Sequence, residues 1–142
     1  MNQSDQPTSS KLPSIFEKFA IVRKQFSSEI YDGIKLLENI KNIPEAQIIF
    51  LSLRQRLLEE NHILIENFTQ LKKLYREKKG EEWIDSSKNS QIRYSSNEKA
   101  TIVDGKTASI KERLELVENQ IDFYSESIKT VDAVLYGIKS RI

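Results

Sequence analysis

The C-terminal stretch constrains this chain most. In IKERLELVENQIDFYSESIKTVDAVLYGIKSRI the apolar residues fall at Ile110, Leu114, Val117, Ile121, Tyr124, Ile128, Val131, Leu135, Ile138 and Ile142, always four or three apart. Residues at those spacings share one face of an α-helix, so the segment predicts a helix of nearly five heptads with an unbroken apolar stripe. Such a stripe has to be covered by another helix along its whole length.

Two further helices are predicted upstream. Ser14 and Glu17 have the S-x-x-E spacing of a capping box, in which hydroxyl and carboxylate each accept a hydrogen bond from a backbone N–H that has no partner inside the helix. Ile15, Phe19, Val22, Phe26, Ile30, Ile34, Leu37 and Ile40 then place a stripe on a first helix over 15–42. Gly33 inside it costs about 1 kcal/mol relative to alanine and marks a candidate tight contact. Pro44 suits the first turn of a second helix, 44–79. That helix carries two adjacent apolar columns, Phe50/Leu57/Leu64/Leu71 and Leu51/Leu58/Ile65, with Phe68 and Leu74 alongside, a width that calls for more than one neighbour. Gly80 fits the position that ends it.

Residues 80–106 lose the register. They are rich in serine and asparagine, hold Trp83, Ile92 and Tyr94 as isolated large residues, and include a short β-like run at 101–103, so they read as a polar connector. Ser109 and Glu112 repeat the capping-box spacing, and the third helix is placed over 107–141. Residues 1–13 are polar and read as a disordered arm. With four glycines and three prolines in 142 residues, the chain is expected to be all-α: a helical hairpin plus a C-terminal heptad helix within one domain, 14–142.

Chemistry of the catalytic kind finds little to work with. Cysteine is absent, which removes thiol nucleophiles, disulfides and cysteine–zinc sites, and no apolar run is long enough for a signal peptide core or a membrane span. His62 is the lone histidine, sits mid-helix with Glu59 and Glu66 three before and four after it, and reads as structural because catalysis needs a constellation. The glycines form no phosphate-binding pattern, and the paired carboxylates Glu59/Glu60 and Glu81/Glu82 are sequence neighbours that a helix points apart. The reading is non-enzymatic, without metal or cofactor.

Charge is more informative. Overall it nearly cancels, at 22 basic and 21 acidic residues, but 72–99 holds eight basic against five acidic. In LKKLYREKKG, Lys72, Lys73, Arg76, Lys78 and Lys79 surround Tyr75, and Trp83, Arg93 and Tyr94 follow. Cations that neutralise phosphates beside rings on which bases stack are the two parts of a single-stranded nucleic-acid site. Basic residues at a helix C-terminus also favour its dipole and solubility, which is the plainer reading of the same cluster. The third helix carries Glu112, Glu115, Glu118, Asp122, Glu126 and Asp132 and is a poor phosphate binder. Its stripe, Ile110, Leu114, Val117, Ile121, Tyr124, Ile128, Val131, Leu135 and Ile138, is read as an oligomerisation surface, with packing on the chain's own helices as the competing reading.

Several of these residues resemble a known family. Arg93, Tyr94, Glu98, Thr101, Ile102 and Val103, then Ile110-Lys111, the pair Phe123-Tyr124 and the ending Ile138-Lys139-Ser140-Arg141 are similar to the C-terminal half of the UvsY recombination mediators of tailed phages, over about 93–141. The resemblance implies a largely helical fold assembled into a ring-like homo-oligomer through its C-terminal region. It implies single-stranded-DNA binding and contacts with the single-strand-binding protein and a RecA-like recombinase, which the mediator helps to load during DNA recombination, repair and replication. It also places the protein in the cytoplasm of the infected host cell. Lys72 matches the lysine of the family's L-K-x-R step, but Leu74 stands in the arginine's place, so Arg76 or Lys73 would have to supply that charge. The alternative is a coiled-coil adaptor or structural subunit that binds no nucleic acid. A secretion-type chaperone or membrane-surface helix ranks lower, because a narrow stripe flanked by acids suits an anionic bilayer poorly.

Overall fold

The computed structural model describes residues 14–88 and 93–141; the arm predicted for 1–13, residues 89–92 of the predicted connector with Ile92, and the terminal Ile142 lie outside them. Among the described residues three α-helices follow one another: α1 (Ile15–Leu36), α2 (Ile43–Lys88) and α3 (Ser96–Arg141), with a 3₁₀ turn at Ile40–Asn42. No strand occurs among the described residues.

At the start of α1 the serine half of the capping box forms, while the Glu17 carboxylate takes the Ser14 hydroxyl in place of a backbone N–H. The Glu17 amide donates to Ser14 Oγ at 3.2 Å, and the hydroxyl in turn donates to the Glu17 carboxylate at 3.1 Å. The predicted continuation of α1 to residue 42 does not occur, because Asn39 leaves the helix and its side chain accepts from the Lys41 amide at 3.0 Å, starting the 3₁₀ turn. Ile40, counted in the α1 stripe, is consequently exposed.

The larger correction concerns 80–106. Helix α2 runs unbroken through Gly80 to Lys88, α3 begins at Ser96, and the β-like run at 101–103 is helical. Gly80 takes no left-handed conformation, so nothing ends the helix there. The added turns of α2 are held by packing and local bonds: Ser86 is buried, and the hydroxyls of Ser86 and Ser87 both donate to the Trp83 carbonyl at 2.9 Å. The start of α3 is a full reciprocal capping box. The Ser95 amide donates to the Glu98 carboxylate at 2.8 Å, and the Glu98 amide to Ser95 Oγ at 3.2 Å. The Ser109/Glu112 pair, with the same spacing, lies inside α3 and starts nothing.

The single domain expected for 14–142 divides into two compact units. One holds the described residues up to Leu53 with those from Ala133, and its buried side chains are Phe26, Ile30, Ala46, Phe50, Leu53 and Ile138. Here Gly33 has its reason: a β-carbon at that position would lie 2.9 Å from Phe50 Cζ. The other unit, Arg54–Asp132, is built from α2 and α3 alone and buries Leu57, Leu64, Val103, Val117, Tyr124 and Val131 together with Ser86, Thr107, Gln120 and Ser127. Ion pairs tie its helices: Arg54 Nε to Asp132 Oδ1 at 2.6 Å, and Lys106 Nζ to Glu82 at 3.5 Å and to Asp85 at 3.9 Å. Those partners run in opposite chain order, so α2 and α3 pair antiparallel in this unit.

Of the α3 stripe, the row Val117, Tyr124, Val131 and Ile138 is buried by the chain itself, which corrects its assignment as an oligomer surface. Intramolecular packing, the competing reading, takes that row. Ile110, Leu114, Ile121, Ile128 and Leu135 are only half-buried. On α2 the first column is covered (Phe50, Leu57, Leu64), whereas in the second Leu51 is 53% and Ile65 43% exposed.

Candidate nucleic-acid interface

The basic cluster lies within the second unit, on the continuous helix α2. Four of its members, Lys72, Arg76, Lys79 and Trp83, are spaced four, three and four residues apart. That spacing sets them along one helical face over about 16 Å of rise. Because α2 does not stop at Gly80, Trp83 belongs to this rigid row and not to a connector. All four are exposed, the indole at 41%.

Two of the cations rest against rings of their own helix, Lys72 Nζ 5.1 Å from the Phe68 centroid and Lys79 Nζ 5.2 Å from that of Tyr75. Contacts of this kind keep an ammonium near an apolar surface without neutralising it, at about 0.5–1 kcal/mol in exposed settings. No ion pair among the described residues involves Lys72, Lys73, Arg76 or Lys79. Their positive charge is therefore uncompensated at short range.

The remaining predicted residues divide. Lys73 is exposed on α2 but a quarter-turn round from the row. Lys78 points to Glu81 at 3.5 Å, on the side of the helix where Glu81 and Asp85 gather, and is separated from the row. Tyr75 is half-buried with Lys79 over its ring, which makes it a support for that lysine more than a free stacking surface. Arg93, exposed, and Tyr94, half-buried, are not on α2: they precede the Ser95 N-cap of α3. The stretch that carries the family resemblance thus has a structural role here, spanning the cap and first turn of α3, with Thr101 Oγ1 donating to the Asn97 carbonyl at 3.0 Å.

Lys99 was missed by the sequence reading. Its ammonium lies 5.8 Å from the Trp83 ring centroid, bringing a cation of α3 to the end of the α2 row. The signal was the S-x-x-E spacing at Ser95 and Glu98, which starts α3 early enough to set Lys99 in its first turn. The adjacent carboxylate of Glu98 is held by Ser95, whose backbone and side-chain hydrogen bonds lower its pKa below the ordinary 4.5.

Elsewhere, His62 is exposed and lines a shallow groove with Gln55, Leu58, Glu59 and Ile63. Among the described residues no group of three His, Cys, Asp or Glu side chains could hold a metal ion. No described helix is long and apolar enough to cross a membrane. Comparison with protein-family models, with curated proteins and with solved structures returns no match.

Proposed function

We propose that this protein binds single-stranded DNA and acts as a recombination mediator, a non-enzymatic factor that helps a RecA-like recombinase onto strand coated with single-strand-binding protein. The observation that carries the binding half is the row Lys72, Arg76, Lys79 and Trp83: three cations lacking carboxylate partners among the described residues, followed by an accessible aromatic, at turn-by-turn spacing on one helix. The mediator half rests on the resemblance of 93–141 to the UvsY family. A row of three cations binds weakly alone, so a ring-like homo-oligomer is part of the proposal: displaying the row once per subunit turns weak contacts into firm binding by raising effective concentration. The apolar surface available for that assembly is the half-buried row Ile121 and Ile128 of α3 and the exposed Ile65 of α2.

Fluorescence anisotropy of labelled oligo-dT over a salt series tests binding directly. Affinity should fall steeply with salt, and alanine at Lys72, Arg76 and Lys79 together should abolish binding at moderate salt. Absence of binding at low salt, or indifference to the triple substitution, refutes the assignment. Light scattering with and without the oligonucleotide reports the assembly.

A coiled-coil adaptor is the second reading, favoured by the same half-buried Ile121 and Ile128 and the exposed Ile65. It predicts protein that purifies free of nucleic acid and with a firm protein partner, which the ultraviolet absorbance ratio before and after a high-salt wash distinguishes.

A further inference from the structure

We infer that Trp83 and Lys99, contributed by different helices, form a stacking station for one unpaired base and its neighbouring phosphate, and that this station makes the interface selective for single strands over duplex. The inference rests on the binding proposed above and adds to it the residue pair that reads strandedness.

The row on α2 is electrostatic up to Lys79. Phosphates are displayed by duplex and single strand alike, so Lys72, Arg76 and Lys79 attract both. The feature that differs is the face of a base, hidden between its neighbours in a duplex and offered only by an unstacked strand. Trp83 is the one aromatic of the row, four residues beyond its last cation, and its indole is 41% exposed. Tyr75, the other nearby ring of α2, is half-buried.

Lys99 completes the station. Its ammonium sits 5.8 Å from the indole centroid, half-buried, with the carboxylate of its neighbour Glu98 engaged by the Ser95 amide at 2.8 Å. An ammonium over a ring holds the place that a base takes when it stacks. On stacking, the lysine moves from the ring to the phosphate of the stacked nucleotide, a contact that the ring alone cannot make. In the unbound protein the same lysine rests over the indole. The acids Glu82 and Asp85 on this part of α2 are drawn to Lys106, at 3.5 and 3.9 Å, which lessens their repulsion of an incoming phosphate.

The chain has one tryptophan, so its emission reports the station alone. Oligo-dT is titrated into the full-length protein while tryptophan emission and the anisotropy of labelled oligo-dT are followed in parallel, with a duplex of equal length as the comparison. Emission should be quenched in step with single-strand binding and left nearly unchanged by duplex. Lys99→Ala should weaken single-strand binding several-fold and reduce the salt slope by about one. Trp83→Leu should weaken it on the order of tenfold, with Trp83→Phe retaining most of the affinity. Far-ultraviolet circular dichroism checks that each variant keeps its helices. Binding seen by anisotropy with unaltered tryptophan emission, or equal quenching by duplex, overturns the station while leaving the cationic row standing. Failure of anisotropy to detect any binding overturns both.

Discussion

The two units are built on different principles. In the unit containing α1, every buried side chain is apolar, and an aromatic ring, Phe50, fills the space left by the missing side chain of Gly33. In Arg54–Asp132, two helices face each other with Ser86, Thr107, Gln120 and Ser127 buried among the aliphatics, and the Asn61 side-chain oxygen is buried with no hydrogen-bond partner. The Ser86 and Thr107 hydroxyls donate to carbonyls of their own helices, Trp83 at 2.9 Å and Val103 at 2.8 Å, so they are satisfied without crossing the seam, and they take up buried area that apolar side chains fill in the first unit. Apolar packing carries the first unit, whereas in the second the polar links between the helices are the ion pairs Arg54–Asp132 and Lys106 with Glu82 and Asp85.

Substitutions can break that contrast, beginning with the largest effect. Phe50→Ala should lower unfolding free energy by about 3–5 kcal/mol in denaturant titration, since it empties a fully buried site. Gln120→Leu should cost about 1–3 kcal/mol, because the bond between the amide and the buried Tyr124 hydroxyl is lost. The double variant Gln120→Leu/Tyr124→Phe should recover most of the loss; a double-mutant cycle showing simple additivity would refute the coupling of the two side chains. Gly33→Ala should destabilise by about 1–2 kcal/mol despite alanine's better helix propensity, because the new methyl meets the Phe50 ring. Gly80→Ala should do the opposite, adding about 0.5–1 kcal/mol, since a β-carbon there meets nothing within 4 Å.

Titration sharpens the same comparison through the second unit. Tyr124 has its pKa raised above 10.0, chiefly by burial and secondarily by the Glu60 carboxylate, against the opposing bond from Gln120. A group whose folded pKa is raised contributes stability that is complete below its unfolded value and is lost as pH climbs through the folded one. Stability should therefore fall above pH 10, and less so in Tyr124→Phe. Glu98, with its pKa lowered, acts in the other direction: its contribution is present above 4.5 and lost as pH drops through the depressed value, so the start of α3 should fray first in acid. Hydrogen exchange at 96–99 across the acid range measures it.

Much of this was legible in the residues. The helical class, the Ser14 cap, the tight contact at Gly33 and the first column of α2 follow from residue type and spacing, whereas the second column, with Leu51 and Ile65 exposed, is not covered by the chain. The extension of α2 past Gly80 was not, because a glycine that is merely tolerated and one that ends a helix look alike until the partner helix that holds residues 80–88 is in place. The seam of α3 was misread for a related reason. Its apolar rows are Val117/Tyr124/Val131 and Ile121/Ile128, yet the partner lies on the other side of the first row and buries Gln120 and Ser127 instead. One helix's pattern states which residues avoid water, not from which side the neighbour approaches. For the interface, the cations were legible as a cluster, but their sorting into a row, with Lys78 turned away and Lys99 brought in, needed the helix boundaries.

The ion pairs between α2 and α3 also set an order of events. Arg54 and Asp132 are 78 residues apart in sequence, while Glu82 and Lys106 enclose a far shorter stretch. Closing the short loop costs less chain entropy, and each contact made there shortens the loop that the next must close. The pair should assemble like a zipper from the Trp83 end, so the segment bearing the cationic row is native-like early in folding, and the Arg54–Asp132 latch engages last.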